Sequence, residues 1–142
     1  MKYGELLKEL KDCPFCKLKK REIIFENEFG KIILARAPYH KNHILIIPNR
    51  HVNKMSELND KEALELHRLE LRGIKFISKL HKNFSILYRE GDNAGKSINH
   101  LHINIIPEKT LMVRQSRIEE REFYSEEEYE KLTSKFRKKI NN

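Results

Sequence analysis

The sequence predicts an α+β fold: a five-stranded antiparallel sheet with flanking helices. Three observations carry that reading. Helical and strand patterns are not regularly interleaved, which argues against a doubly wound parallel sheet. Five short segments have strand character, and the first two are joined by the hairpin-like connection Asn27-Glu28-Phe29-Gly30. The run from the Gly95-Lys96-Ser97 turn to Pro107 alternates polar and apolar residues at period two, as a half-buried strand does.

Taken in order, residues 3–11 predict a short amphipathic helix leading into Cys13-Pro14-Phe15-Cys16. Strands follow over 23–26 and 31–36, then a loop at Ala37-Pro38-Tyr39. The apolar run 44–47, stopped by Pro48, reads as a central strand. Asn59 with Glu62 three residues later is a capping-box pattern, and Leu58 and Ala63 are placed for a hydrophobic staple. Leu66, Leu69, Gly73, Phe76 and Leu80 repeat at helical spacing and are expected to face the sheet. A strand over 85–89 and a loop from Glu90 to Gly95 lead to the last strand. There His100, His102 and Asn104 share one face, with Leu101, Ile103 and Ile105 on the other. A final helix has Ser125 and Glu128 as its capping box and Tyr129, Leu132, Phe136 and Ile140 as its stripe. The chain reads as a single domain over 1–142, with a motif-bearing core at 13–107. Its helical extension, 109–142, covers a sheet edge or builds a subunit contact.

The composition is that of a soluble protein with a heavily charged surface, 39% apolar and 35% charged. No apolar run approaches the roughly 20 residues needed to cross a bilayer, and the N-terminus lacks a secretory pattern. The expected location is the cytoplasm, and no membrane partner is expected. The net charge of +8 favours polyanions. Residues 1–107 hold seven of those charges and the segment from Glu108 onward one.

The two cysteines form one C-x-x-C pair. In a reducing compartment this reads as a metal or redox motif. No buried strand precedes Cys13 as a thioredoxin-like motif requires, so metal is favoured. A tetrahedral zinc site needs two more ligands. Seven histidines are available, and spacing alone does not choose among them, although His51 and His100 stand at element ends. His102, in the middle of the polar face, suits nucleophilic attack on phosphorus, provided a fixed acceptor holds its other ring proton. Gly91 and Gly95 let backbone amides approach phosphate, Lys96 neutralises charge, and Ser97 donates to a leaving oxygen. Gly-Lys-Ser is not a Walker loop, because Glu90 stands where that pattern has its first glycine.

These motifs, taken in order over roughly residues 13–107, resemble the histidine-triad superfamily of nucleotide hydrolases and transferases. The resemblance is carried by Cys13-Pro14-Phe15-Cys16, Pro38-Tyr39, the run from His43 to Val52, and the run from Gly91 to Pro107. It is nearest the branch containing diadenosine polyphosphate phosphorylases. The resemblance implies an antiparallel sheet doubled by homodimerisation, and a structural zinc held by Cys13, Cys16, His51 and His100. It makes His102 the nucleophile of a nucleotidyl-histidine intermediate. Gly95 and Ser97 match positions at the phosphate and leaving group, and His43 one that lines the same pocket.

Departures from the pattern are equally specific. Asn104 replaces the third histidine, and its amide can neither titrate nor supply a proton at neutral pH, which leans towards transfer over hydrolysis. Ala35 stands near where relatives place a ribose-binding residue, and His40-Lys41-Asn42-His43 replaces the usual Asn-Pro-Gly-His. Arg89 and Lys96, at positions where asparagine and glutamine are common, join His43 and Gly95 as candidate phosphate or nucleotide contacts. The leading expectation is a hydrolase, nucleotidyltransferase or phosphorylase cleaving a phosphoanhydride-type bond, with His102, Asn104 and Ser97 as catalytic candidates. The alternative is a non-catalytic nucleotide- or RNA-binding protein on the same scaffold. Nucleic acid is the less favoured partner, since aromatic residues are not interleaved with the basic runs.

Overall fold

The computed structural model describes residues 2, 5, 12–91, 98–109 and 122–142. The expected helix over 3–11 and the turn Gly95-Lys96-Ser97 lie outside the described residues, the former but for Glu5. Five strands, β1 (Ile23–Glu26), β2 (Gly30–Leu34), β3 (Ile44–Pro48), β4 (Phe84–Tyr88) and β5 (Ile103–Pro107), form one sheet in the order β1-β2-β3-β5-β4. Every neighbouring pair is antiparallel. Two helices, α1 (Asp60–Leu80) and α2 (Glu126–Ile140), complete the α+β architecture.

The turn between β1 and β2 is set by Asn27, whose Oδ1 accepts the backbone N–H groups of Phe29 and Gly30. β3 is buried along its whole length, as its unbroken apolar run requires. Both helices lie on the same face of the sheet. Ile24, Ile32, Leu34, Ile44, Ile46 and Ile105 meet their stripes there, each isoleucine contributing about 1.5–3 kcal/mol by burial. The opposite face carries a smaller cluster of Ile23, Ile33, Ala35, Leu45 and Ile47, closed by Phe15.

α1 begins as expected, with Asn59 and Glu62 capping each other's backbone N–H groups. Glu62 also takes a two-pronged contact from Arg50, which donates to the Glu57 carbonyl as well. Arg50 first, then the N–H of Asn59, holds the Glu62 carboxyl down at about 2. The expected stripe is buried at Leu66, Leu69, Gly73 and Phe76, and Ile77 joins it. Leu80 does not: it is 39% exposed, because it is the last residue of the helix and no further turn covers it. Ala63 is exposed too, and Leu58 packs on the main core.

α2 covers the β1–β2 side of the same layer. The Tyr129 hydroxyl donates to the Leu34 carbonyl at 2.6 Å. Arg137 donates to the carbonyls of Ile23 and Lys20. Ser125 caps α2 by accepting from the Glu128 N–H. Among the described residues no helix is long and apolar enough to cross a membrane.

The histidine segment departs from a continuous strand. β5 begins at Ile103, and His100 to His102 precede the ladder as irregular backbone. The N–H of Leu101 donates to the Val52 carbonyl instead, at 2.7 Å, so the segment is tied to the chain leaving β3. The alternation of faces survives. Leu101, Ile103 and Ile105 enter the helix-side core, whereas Asn104 pairs with Leu45 on one side and Leu87 on the other.

Two glycines permit the close packing. A Cβ on Gly30 would lie 2.5 Å from the Ile47 carbonyl oxygen, and one on Gly73 would lie 3.0–3.2 Å from the Cδ1 atoms of Ile46, Ile105 and Ile44. Gly73→Val is therefore expected to lower stability by about 1–3 kcal/mol through overpacking, read as a lower urea midpoint at unchanged m. Glu62 supplies a pH signature. Its carboxyl is depressed below the ordinary 4.5 to about 2, so its contribution is complete above the unfolded value and lost as pH falls through the folded one. Glu62→Gln is expected to be less stable than wild type at pH 7, with the two melting curves converging as pH approaches about 2.

Candidate active site and metal centre

The end of β3, the entry to β5 and the Cys13-Pro14-Phe15-Cys16 turn meet at one end of the sheet. Cys13, Cys16, His51 and His100 place their ligand atoms within 4.8 Å of one another. Cys13 Sγ lies 3.3 Å from His100 Nδ1, Cys16 Sγ 3.1 Å from His51 Nδ1, and the two Nδ1 atoms are 3.1 Å apart. A tetrahedron with zinc–nitrogen and zinc–sulfur bonds of normal length has edges of about 3.3–3.8 Å, so the spacing is close to that of four ligands on one ion. Tautomer geometry agrees. His100 is fully buried, and its Nε2–H donates to the Pro48 carbonyl at 2.9 Å, leaving a lone pair on Nδ1. Desolvation and then the adjacent Cys13 push the Cys16 thiol up, so a cation is what would bring it to thiolate. The donor set fits a structural Cys2His2 site.

Two residues on, the His102 Nδ1–H donates to the His100 carbonyl at 2.8 Å. That bond sets the tautomer: with the proton on Nδ1, the lone pair of the neutral ring lies on Nε2. The ring is half-buried and meets Phe15 edge-on, centroids 5.4 Å apart.

Asn104 and His43 form a directed chain. The Tyr39 N–H donates to His43 Nδ1 at 3.2 Å, so His43 Nε2 carries the proton and donates to Asn104 Oδ1 at 2.9 Å. Asn104 Nδ2 in turn donates to the Leu87 carbonyl at 3.0 Å. Both side chains are buried, and the Tyr39 ring stacks on His43. Arg89 follows β4 directly and is half-buried. Gly95, Lys96 and Ser97 lie outside the described residues. The sequence reading did not single out Phe15, the backbone N–H of Tyr39 or the carbonyls of Pro48 and Leu87. Only Phe15 carries a signal, as an aromatic held between two metal-spaced cysteines.

This geometry has relatives. Residues 17–111 match the family model described as the HIT domain. The adenosine 5'-monophosphoramidase of Schizosaccharomyces pombe is 33% identical over 99 residues, covering 67% of this chain and 73% of that protein. The bis(5'-adenosyl)-triphosphatase of Dictyostelium discoideum is 30% identical over 129 residues, 84% of this chain and 86% of its own. In three dimensions, a hypothetical histidine triad nucleotide-binding protein from Sulfolobus tokodaii superposes with a TM-score of 0.74 at 28% identity, over 92% of this chain and 93% of that one. The paired cysteines and the carbonyl-held histidine thus sit on a shared five-stranded frame, and the chain belongs to the HIT family.

Proposed function

We propose that this protein is a nucleotide hydrolase or nucleotidyltransferase that cleaves a phosphoanhydride-type bond through His102. The observation that carries the reading is the 2.8 Å bond from His102 Nδ1 to the His100 carbonyl, on the frame of a family whose relatives are named as acting on adenosine nucleotides. His102 Nε2 attacks the phosphorus, an N–P bond forms, and the P–O bond to the leaving group breaks with its electrons on oxygen. The ring then carries a positive charge, which the Nδ1–H shares with the carbonyl dipole. In the second step an oxygen of water or of an acceptor such as phosphate attacks phosphorus, the N–P bond breaks with its electrons returning to Nε2 to regenerate neutral His102, and an attacking water releases its proton to solvent.

The other assignments support that chemistry. Cys13, Cys16, His51 and His100 would hold zinc, which would supply rigidity to the segment bearing His102. Arg89, Lys96 and the amides around Gly95 receive the polyphosphate, Ser97 donates to the leaving oxygen, and His43 lines the pocket. The chain acts as one unit over 1–142 and pairs with a second copy in the cytoplasm. Support for pairing comes from the open edge at β4, where Ile86 is 46% exposed, and from Leu71 and Leu64, exposed on α1.

Asn104 biases the second step towards transfer. Its oxygen is taken by His43 and its nitrogen donates to Leu87, so it offers no base to an attacking water. A phosphate dianion needs none.

The test is turnover of diadenosine polyphosphates, adenosine phosphoramidate and uridylyl sugars, with and without phosphate, beside His102→Ala. Loss of turnover by at least about a thousandfold in the variant, with the fold retained, is the expected result. Full turnover in His102→Ala removes the mechanism. Nucleotide affinity without turnover in either protein makes the chain a binding module. Asn104→His is expected to raise the ratio of hydrolysis to transfer by roughly tenfold or more, measured as product partitioning at fixed phosphate; an unchanged ratio removes the role given to the amide.

A further inference from the structure

His40, Asn42, His81 and Glu108 meet at the end of the sheet away from the cysteines, where β3 begins and β5 ends. The backbone N–H of Asn42 donates to His40 Nδ1 at 3.1 Å, and the N–H of His43 donates to the His40 carbonyl at 2.9 Å. The Asn42 side chain donates from Nδ2 to His81 Nε2 at 2.7 Å. His81 caps the end of α1. Its Nδ1 lies 3.4 Å from Glu108, and its ring meets that of His40 edge-on, with centroids 5.0 Å apart. A side-chain acceptor for the N–H two residues on also shapes the β1–β2 turn, where Asn27 Oδ1 accepts from Phe29. His40 therefore closes its turn as an asparagine would. The difference is chemical: an amide oxygen does not titrate near neutral pH, whereas an imidazole lone pair can be taken by a proton.

We propose that His40 is an acid-sensitive closure of the turn leading into β3: the neutral ring holds the turn shut, and a proton on Nδ1 opens it. The proton comes from solvent and fills the lone pair that accepts from Asn42. Two N–H groups then face each other across 3.1 Å, and one must withdraw. The charged and titratable groups acting on the ring are His81 at the end of α1, Lys109 and Glu108 after β5, and Lys41 on the turn itself. Burial first, then His81, Lys109 and Lys41, holds the imidazole below its ordinary 6.5, with Glu108 opposing. The folded value thus lies below the unfolded one. The closed turn contributes fully above the ordinary 6.5 and loses its contribution as pH falls through the folded value. Tyr39, one residue back, donates its backbone N–H to His43 Nδ1. Opening at His40 is in this way passed to a residue of the proposed pocket.

The experiment follows wild type, His40→Asn and His40→Ala by NMR between about pH 8 and pH 5. Its readouts are the His40 ring resonances, assigned by their absence in the variants, and the shift and exchange protection of the Asn42 amide. In wild type the His40 ring is expected to titrate below the ordinary 6.5. The Asn42 amide shift follows with the same midpoint, and its protection falls by about tenfold or more. His40→Asn keeps an acceptor that does not titrate, so Asn42 stays protected across the range with no midpoint. His40→Ala has no acceptor, and its Asn42 amide is unprotected throughout. A fourth arm compares kcat/KM for nucleotide turnover in wild type and His40→Asn, and it alone rests on the proposed function. The two are expected to match at pH 8, with wild type falling behind severalfold below the His40 midpoint. Loss of metal in acid is common to both proteins and cancels in that ratio. If His40→Ala fails to fold, wild type and His40→Asn decide.

An Asn42 amide that stays fixed and protected while His40 titrates would overturn the proposal. So would an acid transition that persists in His40→Asn, since His81 or another group would then be its source. If wild type turns over no nucleotide, the proposed function fails, while the resonances still report whether His40 closes the turn.

Discussion

The described site depends on how one imidazole is held. His100 uses both ring nitrogens and its carbonyl at once: Nδ1 faces Cys13, Cys16 and His51, Nε2–H donates to the Pro48 carbonyl, and its own carbonyl accepts from His102. A fully buried imidazole left partly unsatisfied would cost about 1–3 kcal/mol for each missing bond. Because each bond runs to a different piece of chain, satisfying His100 also fixes their relative positions. The end of β3, the cysteine turn and the segment entering β5 are joined through this residue. The irregular backbone from His100 to His102 follows from it. A continuous ladder there would take the segment away from Val52, whose carbonyl holds the N–H of Leu101.

A metal bound at this junction would belong to folding as much as to the finished structure. Cys13 and His100 are 87 residues apart in sequence, and Cys16 and His51 are 35 apart. An ion that binds all four only when the sheet is closed adds its binding free energy to that of folding. It would also join the face opposite the helices to the strands. α1 and α2 cover one face with a large core, whereas the other has a smaller cluster closed by Phe15. The thinner side is the one that borders the candidate metal ligands, Cys13 among them.

Much of this was legible in the sequence, and the limits have physical causes. Periods of two and 3.6, with the unbroken apolar run of the fully buried β3, identified five strands and two described helices. Ile103, Ile105 and Asn104 fell on the expected faces for that reason. Boundaries were less legible. The strand expected from His100 begins at Ile103, and Leu80 is exposed despite its place in the stripe, since both depend on tertiary neighbours. The cysteine spacing pointed to metal, but its two histidines come from separations that only the antiparallel topology closes. Resemblance to a known family named them before the structure did. Asn104 was read as an amide that cannot relay a proton, and the structure adds its partners: its oxygen accepts from His43 and one N–H donates to Leu87.

The partners of Asn104 bear on what kind of acceptor would complete the proposed reaction. From the Tyr39 N–H to the Leu87 carbonyl, every hydrogen bond in the chain points the same way. The backbone N–H at the start and the backbone carbonyl at the end do not titrate at neutral pH. Between them, His43 has its Nδ1 lone pair engaged by Tyr39 and its Nε2 proton given to Asn104. To take a proton from water, His43 would have to give up the bond from Tyr39, since Nδ1 is its only lone pair. The chain thus favours a fixed neutral state over proton relay. A histidine at position 104 would turn an amide that cannot relay a proton into a group that can. In the proposed mechanism, a nucleophile that arrives already ionised avoids that deficit. An asparagine at this position therefore matches an anionic acceptor better than it matches water.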